Sequence, residues 1–126
     1  MGRADKKFKI ITEVVKLLRE SEELAAMVGP KIFPIVAPEG TVGDFVSYQR
    51  DGLDIESSKM GTALQRSYFY INVVSDDYDR SLDIADTIYD TLEGDFVNPD
   101  MRIHLTDYTE DYVDKKFLQV LQFSIQ

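Results

Sequence analysis

The sequence has no cysteine and a single histidine among its 126 residues. The absence of cysteine excludes disulfide bonds, thiol catalysis and thiolate metal sites. His104 has no recognisable nucleophile or second base to work with, as general base catalysis requires, and we interpret it as a surface or interface residue. The sequence also lacks a glycine-rich phosphate loop and a nucleophile elbow. We therefore expect no cofactor, no metal and no enzymatic activity.

Long apolar runs and an excess of basic charge are missing as well. No run of roughly 18 apolar residues could span a bilayer, and the N-terminal residues do not resemble a signal peptide, so we expect no membrane association. The formal net charge is −9, from 14 basic and 23 acidic residues. Because phosphate contacts need a basic surface, this balance argues against specific nucleic-acid binding. A role in solubility alone would account for it equally well.

The strongest pattern that is present predicts a strand followed directly by a helix. Apolar residues alternate with tyrosines and polar residues through residues 66–75, the period of two that is typical of a strand. Residues 76–93 then carry apolar side chains three or four positions apart, which is typical of an amphipathic helix. Ser75 or Asp76 is the predicted N-cap of this helix, and Gly94 its predicted end.

The remaining elements complete a predicted α+β domain. A first helix over residues 8–28 is predicted to end at Gly29. Residues 31–36 contain Pro34, which favours an edge strand or a covering segment. Further strands are predicted at residues 44–50, 101–109 and 115–125. This order predicts one domain, residues 1–126, with two helices packed on a mostly antiparallel sheet.

Two polar stretches and the tyrosines are the candidate interaction surfaces. Residues 51–65 lack periodicity, and such a long polar connection predicts either a projecting loop or a long hairpin. A second group, the acidic residues Asp107, Glu110, Asp111 and Asp114, lies near the predicted last turn. Its spacing does not match a calcium-binding loop. Tyrosine suits interfaces because it combines apolar area with a hydroxyl. The candidate oligomer-interface residues are Asp51, Asp54, Glu56, Tyr68, Tyr70, Asp107, Glu110, Asp111 and Asp114.

Three segments resemble those of one known protein family. Residues 24–34 look like the exit of that family's first helix into a segment with isoleucine or valine, an aromatic residue and proline. Residues 45–49 resemble the strand that follows, and residues 69–86 are similar to the family's strand that runs straight into a helix. The family is that of the tail-completion, or tail-terminator, proteins of long-tailed bacteriophages and prophages. Gly43 and Asp44 depart from the pattern, because these proteins often have a proline before the strand.

The resemblance implies a non-enzymatic virion protein at the tail end, made in the cytoplasm of the bacterial host. Such proteins form a ring, commonly hexameric, that stops polymerisation of the tail tube and offers a surface for joining the head. The implied partners are further copies of the chain, the tail tube protein and the head-completion protein. In such a ring the acidic candidates are also candidates for the lumen through which DNA passes.

Two functions from other classes remain open at this point. One is an acidic inhibitor or DNA mimic that binds a basic partner. The other is an enzyme that uses a carboxylate metal site built from the acidic group near the last turn.

Overall fold

The computed structural model describes residues 10–57, 63–97 and 99–126, with the backbone alone at residues 52–57 and 63–66. The described chain forms three helices and six strands: α1 Ile10–Glu20, α2 Glu22–Val28, β1 Ile32–Pro34, β2 Phe45–Ser57, β3 Ala63–Ser75, α3 Tyr78–Leu92, β4 Gly94–Phe96, β5 Met101–Val113 and β6 Lys116–Ile125.

The strands form one mixed sheet in the order β1-β2-β3-β6-β5-β4. The β1–β2 pair is parallel and the other pairs are antiparallel. The prediction of an α+β fold on a mostly antiparallel sheet is therefore confirmed. The prediction of an edge strand around Pro34 is confirmed too, since β1 lies at one end of the sheet.

The core lies between the helices and one face of the sheet. Phe69, Ile71 and Val73 alternate along β3 on this face, and all three are buried. The Phe69 ring stacks on that of Phe123 from β6, with 5.3 Å between ring centroids. Burying each such side chain stabilises the fold by about 1.5–3 kcal/mol. The helices contribute Val14, Leu18, Leu24, Val28, Ile84, Ile88 and Leu92.

The predicted first helix is in fact two helices, so the expectation of two helices in all is wrong. The backbone of Ser21 is extended, with φ −78° and ψ 115°, which breaks the helix between α1 and α2. The Ser21 hydroxyl accepts a hydrogen bond from the N–H of Leu24 at 3.2 Å and so caps α2. Gly29, at φ 61°, ends α2 as predicted.

The end residues of α3 also differ from those predicted. Its N-cap is Asp77, whose carboxylate accepts from the N–H of Arg80 at 2.9 Å. Ser75 instead donates its hydroxyl proton to Asp44. Glu93 is the C-cap, and Gly94 begins β4 with φ 138°, a conformation that favours glycine. β4 was not predicted from the sequence, because its three residues are too few to show a period.

Of the two alternatives predicted for residues 51–65, the described residues favour the long hairpin, because residues 51–57 and 63–65 belong to two paired strands. Residues 58–62 lie outside the described residues. β2 and β3 are thirteen residues long each and pair from Phe45 with Val74 to Ser57 with Ala63, with a bulge between Arg50 and Gly52. β6 pairs with β3 only from Ser67 onward. Residues 52–57 and 63–66 therefore extend beyond β6 as a two-stranded ribbon, which we call the hairpin arm.

Candidate assembly surface

The sheet face opposite the helices, which we call the open face, combines apolar and polar rows. Phe45, Val74 and Leu118 are register partners on three neighbouring strands and are half-buried. The ring of Phe33 lies 6.2 Å from that of Phe45 and extends this apolar row toward β1. Nearer the hairpin arm the register partners become polar and aromatic: Gln49, Tyr70, Gln122 and Asp107, then Gly52, Tyr68, Ser124 and His104.

Tyr70 lies near one acidic residue from each of the two candidate stretches, Asp51 and Asp107. The Asp51 carboxylate, at the β2 bulge, accepts a hydrogen bond from the side chain of Gln122 at 2.8 Å. Burial, then the charge of Asp51 and a hydrogen bond to it, and then the charge of Asp107 raise the pKa of Tyr70. Asp51 and Asp107 thus act on the same tyrosine of the open face. Tyr68 lies on this face as well and is half-buried.

The acidic group near the last turn does not form a cluster at a hairpin tip. The turn consists of Asp114 and Lys115, both with positive φ (52° and 65°), as a two-residue hairpin connection requires. Glu110 lies within β5 and accepts from the Tyr78 hydroxyl at 2.7–2.8 Å. That contact raises the pKa of Tyr78. The predicted end of this strand at residue 109 is therefore wrong by four residues, since β5 continues to Val113.

Asp54 and Glu56 lie in the hairpin arm, where the backbone alone is described. Their register partners in β3 are Arg66 and Leu64. Their predicted role in an interface or a lumen stays a prediction.

Asp107 and Asp111 cover the outer edge of β5. Each accepts a hydrogen bond from the next backbone N–H in the chain, Asp107 from Tyr108 at 2.8 Å and Asp111 from Tyr112 at 2.7 Å. Val113 and Lys116 close the two-residue turn, so alternate residues of β5, among them 108 and 112, point their backbone groups away from β6. Carboxylates thus occupy donors that a further strand would need.

Glu93 covers the same edge further along. It accepts from the N–H of Leu105 at 2.8 Å and from the ring of His104 at 2.6 Å. Burial opposes ionisation here, but the hydrogen bonds from His104 and Leu105 lower the pKa of Glu93 overall. The role of Glu93 was not predicted from the sequence, because nothing in the local pattern indicates a contact eleven residues away. His104 is half exposed, as expected of a surface residue.

The opposite edge of the sheet, at β1, is closed by other means. The N–H of Ile32 donates to Pro30 O at 2.8 Å, and its carbonyl accepts from the Arg19 guanidinium at 2.9 Å. Pro34 has no N–H to offer, and its carbonyl accepts from Val36 at 2.6 Å. Neither Ile32 nor Pro34 therefore offers a free donor to an added strand.

Two polar contacts beneath the helices fix α3 on the sheet, and neither was predicted from the sequence. Asp44, with only 9% of its side chain exposed, accepts from the guanidinium of Arg80 at 2.9 Å and from the hydroxyl of Ser75 at 2.8 Å. Burial raises the pKa of Asp44, but Arg80 and Ser75 outweigh it, so the net direction is downward. Gln119 is fully buried and donates to the Ser81 hydroxyl at 3.1 Å.

Within residues 10–57, 63–97 and 99–126, no three histidine or acidic side chains are grouped so that they could hold a metal ion. Over the same described ranges, no helix is both long and apolar enough to cross a membrane.

Comparison with known proteins gives a match in structure alone. No protein-family model matches the chain, and no curated protein does. A chain from a solved structure, described as the virion of a native gene transfer agent particle, is similar to it with a TM-score of 0.72 and 24% sequence identity. The similarity covers 89% of this chain and 89% of that one. The two chains share one fold over most of their length.

Proposed function

We propose that this chain is a structural subunit of a phage-type virion, and specifically a tail terminator that forms a ring on the end of the tail tube. The observation that carries the proposal is the fold shared with a virion chain over 89% of both chains. The sequence resemblance of residues 24–34, 45–49 and 69–86 to tail terminators supports the finer assignment. The proposed partners are other copies of the chain, the tail tube protein and the head-completion protein.

The surfaces described above suit an assembly subunit better than an enzyme. A ring built from identical subunits needs two different patches on each copy, because its contacts are heterologous. The chain offers the open face, with its apolar row and tyrosines, and the hairpin arm. In this proposal the protein has no catalytic activity, and its work is the geometry of these contacts.

A second function is favoured by one observation. Asp79, Asp83, Asp86 and Asp90 follow one another along α3 at spacings of four, three and four residues, and all four are exposed. This acidic stripe would suit an inhibitor or DNA mimic that binds a basic partner.

The two proposals are separated by measuring what the protein binds. We expect light scattering or native mass spectrometry to show a closed oligomer, or a monomer that assembles on purified tail tubes. Electron microscopy should then show density at tube ends, with tubes that no longer elongate. A tight 1:1 complex with a basic enzyme and no affinity for tube ends would favour the inhibitor instead.

A further inference from the structure

Within the described residues, no further strand lies beside either long edge of the hairpin arm, in contrast to the occupied donors along β1 and along the part of β5 that β4 does not cover. Contacts from Arg19, Pro30 and Val36 close the β1 edge, and Glu93, Asp107 and Asp111 occupy donors along β5. In the arm, by comparison, residues 52–57 and 63–66 pair only with one another within the described chain.

The alternation of hydrogen bonds shows which arm residues face outward on the β2 side. The N–H of Val46 donates to Lys31 O, so Val46 and Tyr48 point toward β1 and their neighbours toward β3. The bulge between Arg50 and Gly52 shifts this phase by one residue. Beyond it the backbone groups of residues 53, 55 and 57 point away from β3.

Hydrogen bonds between β5 and β6 show which residues face outward on the β3 side of the arm. Arg102 and Gln126 exchange both hydrogen bonds, so the odd-numbered residues of β6, including Ile125, point toward β3. Ile125 is the register partner of Ser67, the last β3 residue that β6 covers. Residues 65 and 63 continue this edge, and no described strand lies beside them.

Among the described residues of a single copy, an arm of this kind has no third strand beside it. A two-stranded ribbon is marginally stable in water at best, whereas three or more strands are stable with a covered face. Open edges also attract other strands. The arm therefore favours a state in which a third strand pairs with it.

We propose that the arm pairs with the arm of a second copy of this chain, with the β2 edge of one copy against the β3 edge of the next. Another arm is the occupant because each arm presents one β2 edge and one β3 edge, whereas donors along β1 and along the outer edge of β5 are already occupied within the chain. The proposal rests on the proposed ring and identifies a contact that closes it. Copies related by rotation about an axis along the arms place β2 antiparallel to the neighbouring β3, since the two strands are antiparallel within each arm. Repeated around the ring, this contact leaves no open arm edge.

The test places proline at positions whose backbone N–H points away from the other strand of the arm. There proline removes a hydrogen-bond donor and leaves the hydrogen bonds within the arm intact. Ile55→Pro blocks the β2 edge, and Gln65→Pro blocks the β3 edge. Ile55→Ala and Gln65→Ala are the matched controls, because they shorten the side chain and keep the N–H. We expect each proline variant to weaken self-association by at least about tenfold in sedimentation experiments, with both alanine variants close to the unmodified protein.

Mixing the two proline variants tests the direction of the contact. Gln65→Pro keeps an intact β2 edge and Ile55→Pro an intact β3 edge, so the mixture should form a 1:1 dimer that cannot grow. If Gln65→Pro dimerises alone while Ile55→Pro does not, two β2 edges meet and the proposed heterologous contact is wrong.

Hydrogen exchange of the unmodified chain keeps the test independent of whether the variants fold. The amides of residues 53, 55 and 65 should exchange more slowly in the oligomer than in the diluted monomer. Oligomers with unprotected amides, or proline variants that assemble normally, would overturn the arm contact and leave the ring standing. A chain that is monomeric at every concentration and on tail tubes would overturn both. Protection that appears only on tail tubes, with no contact between copies, would assign the arm to the tube protein and overturn the proposal.

Discussion

The carboxylate of Asp107 accepts the backbone N–H of Tyr108 at 2.8 Å, on the outer edge of β5. Asp111 repeats the contact with Tyr112. Both acidic residues were candidates for contacts with other molecules. The structure gives them a contact within the chain, in which each occupies a backbone donor of an edge strand.

The first prediction follows from this capping. Replacing Asp107 and Asp111 together by alanine should expose two donors and promote strand-to-strand aggregation, because an open edge attracts other strands. Asparagine at both positions keeps an acceptor oxygen and should largely prevent this. Light scattering and a dye that reports cross-β structure would measure it at a set temperature. The control variant Asp79→Ala with Asp83→Ala removes the same amount of charge from α3 and should not aggregate. Aggregation of that control would mean that the loss of charge alone is responsible.

The second prediction concerns Asp44. Asp44→Asn should lower the free energy of unfolding by about 1–3 kcal/mol at neutral pH, because the buried carboxylate holds Arg80 and Ser75. Chemical denaturation would measure it. The matched control is Asp95→Asn, which breaks an ion pair between the exposed side chains of Arg102 (61% exposed) and Asp95 (71% exposed). It should lower the free energy of unfolding by less than about 1 kcal/mol. Equal losses in the two variants would contradict the structural role of Asp44.

The third prediction is the pH dependence of the same site. The pKa of Asp44 in the folded protein is lowered from 3.8. The ionised Asp44 therefore stabilises the fold fully at pH values above its pKa in the unfolded chain. This stabilisation is lost as the pH falls through its lower pKa in the folded protein. The difference in unfolding free energy between the unmodified protein and Asp44→Asn should then be constant near neutrality and shrink below about pH 3.8. Denaturation series at several pH values would show it, and a difference that grows in acid would contradict the assignment.

The fourth prediction concerns the hydrogen bond from the hydroxyl of Tyr108 to the side-chain oxygen of Gln119. Gln119 is fully buried, whereas Tyr108 is 42% exposed. Tyr108→Phe should therefore cost about 1–3 kcal/mol, because it leaves a buried oxygen without a partner. Gln119→Leu should cost less, since Ser81 keeps its bond to Tyr78 O and the Tyr108 hydroxyl can reach water.

A double-mutant cycle measured by urea denaturation checks this asymmetry. The double variant should be no less stable than Tyr108→Phe alone, because the buried acceptor is then gone. Additive losses would show that the two side chains do not act as a pair.

The sequence predicted those elements whose pattern is set by one buried face. β3 and α3 follow from alternation and from a helical stripe, and both lie close to their predicted bounds. The break at Ser21 was missed because apolar spacing continues through it. The hairpin arm was left open between loop and hairpin, because a ribbon that pairs through its backbone needs no apolar period. Contacts such as Glu93 with Leu105 depend on register, which a single sequence does not display.

The last prediction concerns the acidic charge in the proposed ring and applies if DNA passes through the lumen of that ring. The acidic lumen candidates fall into two stretches of the sequence, residues 51–56 and residues 107–114. The structure suggests a different contrast, because Asp51 and Asp107 share the open face beside Tyr70 while the α3 aspartates lie with the helices on the other face. Charge acts on DNA only within about 10 Å at 0.1 M salt, so only the set facing the passage can matter.

Lysine at two positions of either set decides between them with the same change in charge. Asp51→Lys with Asp107→Lys, and Asp83→Lys with Asp90→Lys, each raise the formal net charge from −9 by four, to −5. If the open face lines the passage, the first pair should slow DNA ejection from assembled particles, and the defect should weaken as salt rises, because lysines at the lumen would hold phosphates. The second pair should then eject normally. The opposite result would place α3 at the lumen, and normal ejection from both would show that the acidic balance has no part in DNA passage.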